Sequence, residues 1–178
     1  MIYRDLHDFL RRLEETEELL RVRVEVDPNL EVAEIADRVS KLNDGGVALL
    51  FEKVKGSRFP LAINLFGSER RICLALGVDD LNALYRHANE FLSLLPDGLA
   101  KRWWEFIGFP PKQVEKAPCQ EIVEITADLT RYPFLKCWPE DSGKTITLPL
   151  VFSADPVTGG ANCGMYRVQI LDSARVAI

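Results

Sequence analysis

Two short, almost wholly apolar runs constrain this chain more than any other feature: Val47 to Phe51, and Pro60-Leu61-Ala62-Ile63-Asn64-Leu65. Both are too short for helices. Strands with no polar face must be covered on both sides, as they are in the sheet of an α/β layer. The neighbouring sequence supplies the cover. Leu6, Phe9, Leu10 and Leu13 recur at helical spacing, with Asp8, Arg11 and Arg12 turned to water. Val32, Ile35, Ala36 and Val39 make a second such face after the break Asp27-Pro28-Asn29. Between them, Val22, Val24 and Val26 alternate with Arg21, Arg23 and Glu25, which is the period of a half-buried strand.

Punctuation fits the same α/β reading. Asn43-Asp44-Gly45-Gly46 closes the second helix with residues that tolerate positive φ. Ser68 is placed to cap a helix from Arg70 to Leu76. Asp79 is placed to cap a longer one, whose stripe is Leu81, Leu84, Tyr85, Ala88, Phe91, Leu92 and Leu95. Pro96-Asp97-Gly98 and Gly108-Phe109-Pro110-Pro111 then flank a Trp-rich stretch that reads as a linker. After Pro118 the texture turns to β, with strands expected at Glu121 to Thr126, Thr145 to Ser153 and Met165 to Leu171, and a turn at Asp155 to Gly160. The expected organisation is an α/β domain over residues 1–112 and a β domain over 113–178, divided near Pro111 to Pro118. Ala174 to Ile178 starts a further strand, so the sheet reads as unfinished and the chain as truncated.

Composition narrows the function classes. With 47% hydrophobic residues, 28% charged and a mean hydropathy of -0.03, the profile is globular. A net charge of -5 argues against a nucleic-acid surface. The charged N-terminus has no apolar signal region, and the longest apolar runs, such as Leu148 to Phe152, are too short to cross a bilayer. The expectation is a cytoplasmic protein with at most peripheral membrane contact. Cys73, Cys119, Cys137 and Cys163 are scattered without metal-binding spacing, which suits reduced thiols.

No phosphate loop, nucleophile elbow or zinc motif is present, and His7 and His87 stand on helices without a second histidine at ligand spacing. The informative stretch is Asn162-Cys163-Gly164-Met165-Tyr166-Arg167. Asn162 offers a hard amide oxygen to a divalent cation. Gly164 lets a ligand approach the backbone. On one continuous strand, Arg167 shares a face with Met165 and can grip a carboxylate or phosphate through two donors. On spacing alone, a hairpin asparagine and a surface arginine are the favoured reading of these residues.

The ordered set of segments is more specific. Asp5 to Leu10, Glu31 to Arg38, Ala48 to Glu52 with Val54-Lys55-Gly56, and Asn64 to Ser68 with Arg71 are followed by Ala117 to Gln120, Cys137 to Asp141 and Asn162 to Arg167. In that order they resemble the UbiD family of carboxy-lyases over nearly the whole chain. The resemblance implies an N-terminal α/β domain followed by the opening strands of a split β-barrel of flavin-reductase type. It implies prenylated FMN as cofactor, supplied by a flavin prenyltransferase and held with Mn2+ (or Mg2+) and K+. The substrate it implies is an aromatic or α,β-unsaturated carboxylic acid, such as a 4-hydroxy-3-polyprenylbenzoate, that loses CO2. A homo-oligomer is expected.

Carried over by position, Asn162 matches the metal-binding asparagine, and Asn162, Cys163, Gly164, Met165, Tyr166 and Arg167 match the flavin-lining segment. Arg167 matches the arginine of a catalytic Glu-Arg-Glu network whose carboxylates have no counterpart in these 178 residues. The alternatives from other classes are a non-catalytic flavin-binding module or short partner subunit of a longer homologue, and a generic flavin reductase.

Overall fold

The computed structural model describes residues 3–93 and 114–178. Its N-terminal part is a small sheet covered on both sides. β1 (Leu19–Val26) runs parallel to β2 (Ala48–Val54), and β3 (Leu61–Ile63) returns antiparallel, in the order β1-β2-β3. α1 (Leu6–Glu15) begins where Asp5 accepts the Asp8 N–H at 2.9 Å, and α2 (Glu31–Ser40) is the crossover between β1 and β2. Phe9 and Leu13 of α1 meet Ala48 in one cluster. Val32 of α2 meets Val26, Leu49, Phe51 and Val54 in another. The all-apolar run of β2 is thereby explained: successive side chains enter two different cores.

Two details depart from the sequence pattern. Val26 is buried but Val24 is 69% exposed, because the β1–β2 register shifts between Val22 and Glu25 and the bulge breaks the alternation. α3 (Glu69–Leu76) is capped by Ser68 as expected. In α4 (Leu81–Ser93), however, the Ala83 N–H goes to Asp80 at 2.7 Å, so the capping carboxylate is Asp80 rather than Asp79. Leu95 and the Trp-rich linker lie outside the described residues.

Arg71 ties the α3 end of this layer together. Its side chain is wholly buried, and it donates to Glu18 Oε2 at 2.9 Å, to the Gly46 carbonyl, and to the Gly45 carbonyl at 3.2 Å. Asn64 adds bonds from Nδ2 to the Gly45 and Val47 carbonyls, both at 2.9 Å. Gly45 has φ +75, and a β-carbon there would collide with the Gly67 carbonyl, so both conformation and space demand glycine.

The second part folds against the first. Leu135 enters the α2 core. Around it, the Leu30 N–H donates to the Lys136 carbonyl at 2.9 Å and the Lys136 N–H to the Pro28 carbonyl at 3.2 Å. Phe59 and Tyr132 stack with centroids 5.0 Å apart. Beyond this seam lie β4 (Thr145–Ile146), β5 (Leu150–Ala154), β6 (Ala161–Met165), β7 (Val168–Ile170) and β8 (Val176–Ala177). They form two sheets, β4-β7-β8 and β5-β6, all antiparallel. Among the described residues neither sheet closes into a barrel, and β5 and β6 pair only with each other.

Three strand expectations are corrected here. Thr145 to Ser153 is two strands, because Pro149 has no N–H to give a ladder. Met165 to Leu171 is also split: the chain leaves one sheet after Met165 and enters the other at Val168, which makes Tyr166-Arg167 a corner. Glu121 to Thr126 forms no strand among the described residues. Ile122 and Ile125 are 81% and 100% exposed, and a β-prone segment without a partner does not pair.

Candidate cofactor site

Asn162 to Arg167 spans the second half of a hairpin and the corner after it. Asp155 organises the turn by accepting the Val157 and Thr158 N–H groups at 2.7 and 3.2 Å, and those bonds, that to Val157 foremost, hold its carboxyl below the ordinary range. The β5–β6 register sets Asn162 opposite Ser153 and Gly164 opposite Val151. Cys163 and Met165 stand opposite Phe152 and Leu150. Directly opposed residues share a face, so Asn162 and Gly164 lie on one side of the hairpin and Cys163 and Met165 on the other.

The six residues therefore do not line a single face of this strand. The other side is an exposed apolar patch, with Leu150, Phe152 and Met165 at 60%, 76% and 62% exposure. The expected sharing of a face by Met165 and Arg167 does not hold, because the strand has ended before Arg167. Its position is what distinguishes it: Arg167 is exposed and stands in the corner between a strand of one sheet and a strand of the other.

Arg167 is also brought near a second segment. Burial pushes the Cys137 thiol up, Asp141 adds to the shift, and the Arg167 charge opposes it. Cys137 begins Cys137-Trp138-Pro139-Glu140-Asp141, a tight turn in which Asp141 accepts the Trp138 N–H at 3.0 Å. Cys137, Trp138 and Pro139 also line a cleft of about 780 Å³ against α2, Ile63 and Asn64. Sequence reasoning left Cys137 as an unassigned thiol, and spacing alone carries no signal that the Arg167 charge acts on it. A larger cavity, about 1290 Å³, opens beside Glu18, Lys41 and Arg70. It touches none of the candidate residues, so size does not mark the site.

His7 is exposed on α1, and the His87 side chain lies outside the described residues. No group of three histidine, cysteine or acidic side chains stands together among the described residues. Asn162 supplies one oxygen only, so a metal there needs ligands from elsewhere. On this hairpin and its corner, the exposed Asn162 amide and the apolar side chains of Leu150, Phe152 and Met165 occupy opposite faces, and the exposed Arg167 follows at the corner.

Comparison with known proteins decides the family. The family model for the N-terminal domain of 3-octaprenyl-4-hydroxybenzoate carboxy-lyase matches residues 10–90, and the model for its Rift-related domain matches residues 112–178. The chain belongs to the UbiD family. An uncharacterized protein of Archaeoglobus fulgidus is 46% identical over 181 residues, covering 97% of this chain and 36% of its own length. One of Aquifex aeolicus is 41% identical over 189 residues, covering 99% and 38%.

Among solved UbiD-like structures, the closed form of the vanillic acid decarboxylase of Sedimentibacter hydroxybenzoicus superposes with a TM-score of 0.81 at 30% identity, over 99% of this chain and 37% of that one. HmfF of Pelotomaculum thermopropionicum, a UbiD-class enzyme in complex with prFMN, gives 0.76 at 28% identity, over 98% and 37%. The chain spans little more than a third of the length of these relatives. Among the described residues no helix is long and apolar enough to cross a membrane.

Proposed function

We propose that this chain is the part of a UbiD-type decarboxylase that contributes one wall of a prenylated-FMN site, in an enzyme removing CO2 from an aromatic or α,β-unsaturated carboxylic acid. Membership of the family and the corner geometry of Asn162 to Arg167 support the reading together. The HmfF complex with prFMN supports the cofactor. When bound, the flavin supplies the electron sink for decarboxylation, and the protein supplies orientation and charge.

The chain's own residues then have distinct tasks. Asn162 offers its amide oxygen to the Mn2+ (or Mg2+) that, with K+, would neutralise the flavin phosphate. Gly164 and Tyr166 would face the flavin on the Asn162 side of the hairpin, and Cys163 and Met165, carried over with the same segment, lie on its other side. Arg167, always protonated and carrying a planar pair of donors, would hold the substrate carboxylate and stabilise charge as it shifts. A 4-hydroxy-3-polyprenylbenzoate is the substrate proposed within the class. A flavin prenyltransferase as cofactor supplier, a cytoplasmic location and a homo-oligomer belong to the same proposal. So does the division into residues 1–112 and a flavin-reductase-type split barrel opening at 113.

The test is to co-express the complete polypeptide that the gene encodes with a flavin prenyltransferase and record the absorbance and mass of the bound cofactor. Prenylated FMN retained by the wild type, and lost in Asn162→Ala, is expected. Wild-type protein that binds no flavin under any metal condition would overturn the proposal and favour a non-catalytic subunit.

A further inference from the structure

Gly164 has no conformational reason to be glycine. It is absent from the positive-φ residues, so its backbone is open to any side chain. The reason is space. An added β-carbon would overlap Tyr166 Cε2 and come within 2.7 Å of both Cζ and the phenol oxygen. The group that approaches this strand glycine closely is thus the chain's own tyrosine ring.

Tyr166 follows directly on the end of β6 at Met165, and its ring lies across the residue two positions before it. An aromatic ring laid over a strand glycine covers backbone that would otherwise face water. In keeping with that, Gly164 is half-buried while its neighbours in β6 are exposed. Gly164 shares its hairpin face with Asn162, so the phenol oxygen is delivered to the face that carries the candidate metal-binding amide.

We propose that Gly164 is a positioning residue that seats Tyr166, and that the seated Tyr166 hydroxyl is a hydrogen-bonding group for the flavin on the Asn162 face. The assignment rests on the flavin reading above. It goes further by giving the tyrosine a polar task through its oxygen and the glycine an indirect one. A ring that only covered the glycine would work equally well as phenylalanine.

Two measurements separate this assignment from the reading it rests on. In the 178-residue chain, the Gly164 Hα resonances are expected to move downfield in Tyr166→Leu, since the shielding ring is gone; unchanged shifts overturn the seat. In the complete polypeptide, FMN titrations by fluorescence quenching compare wild type, Tyr166→Phe, Gly164→Ala and the double variant. Each single variant is expected to weaken FMN about threefold to tenfold, the worth of one hydrogen bond, with thermal stability retained. The double variant should bind no more weakly than Tyr166→Phe, because both changes remove the same interaction. Wild-type affinity in Tyr166→Phe overturns the hydroxyl assignment, and additive losses overturn the coupling. A wild type that binds no FMN refutes the flavin reading and the hydroxyl with it, while the Gly164 shifts still judge the seat.

Discussion

Replacing Arg71 by methionine keeps a long apolar stem and removes every donor. The guanidinium is wholly buried, and Glu18, its carboxylate partner, is 13% exposed. Removing one member of a buried ion pair typically costs about 3–5 kcal/mol, because the other charge is left without compensation. Here Arg70 remains 3.1 Å from Glu18, and Arg71 Nε already has no partner among the described residues. Both facts favour the lower end, about 3 kcal/mol. The Gly46 carbonyl would also lose its Arg71 donor, while the Gly45 carbonyl keeps Asn64 Nδ2 at 2.9 Å, so the loss should not fall much further.

Urea unfolding followed by tryptophan fluorescence and far-UV circular dichroism reads this directly. At a slope of about 1–3 kcal/mol/M, the midpoint should drop by about 1–3 M. Glu18→Gln in both backgrounds isolates the pair, and its effect should be much smaller once Arg71 is gone. A loss below about 1 kcal/mol in Arg71→Met would refute the argument that this buried charge holds α3 to the sheet.

Leu135→Ala should cost about 2–5 kcal/mol, because Leu135 fills the α2 core from the second half of the chain; two separate unfolding transitions in wild type would argue against that shared core. Asp27 is held below its ordinary value of 3.8, first by the Asn29 N–H and then by Lys55. A carboxyl so depressed contributes stability above its unfolded pKa and loses it as pH falls through the folded one, so unfolding midpoints should be level above about pH 5 and decline below about pH 4. An Asp27 titration by NMR at or above 3.8 would contradict this. The 178-residue chain alone, given prenylated FMN, Mn2+ and K+, should release no CO2 from a cinnamate or hydroxybenzoate panel, since no group of three histidine, cysteine or acidic side chains able to hold the metal stands together among the described residues. Release above a heat-killed control would count against that assignment.

Much of the first layer was legible because its signals are local. The apolar run at β2, the break at Asp27-Pro28-Asn29 and the Ser68 cap each express a backbone preference within a few residues. The bulge that turns Val24 outward is set by pairing with β2, which no window on β1 contains. The β segments were harder for the same reason. Pro149 was visible and should have divided Thr145 to Ser153. The break at Tyr166-Arg167 carries no proline or turn residue; it arises because the flanking segments pair with different sheets. For the candidate residues Asn162 to Met165, the face each occupies depends on the β5–β6 register, which the sequence does not carry. The nearness of Cys137 to Arg167 joins segments thirty residues apart and has no sequence signature.

The central claim is that Arg167 holds the carboxylate that is lost as CO2. Its most direct test measures CO2 release by the complete polypeptide, loaded with prenylated FMN, Mn2+ and K+, as wild type and as Arg167→Lys. Lysine keeps the charge and loses the two-donor fork, so turnover should fall by about two to four orders of magnitude while flavin content and melting temperature are unchanged. Turnover within about threefold of wild type, a difference of well under 1 kcal/mol in the barrier, would contradict the account and return Arg167 to the surface.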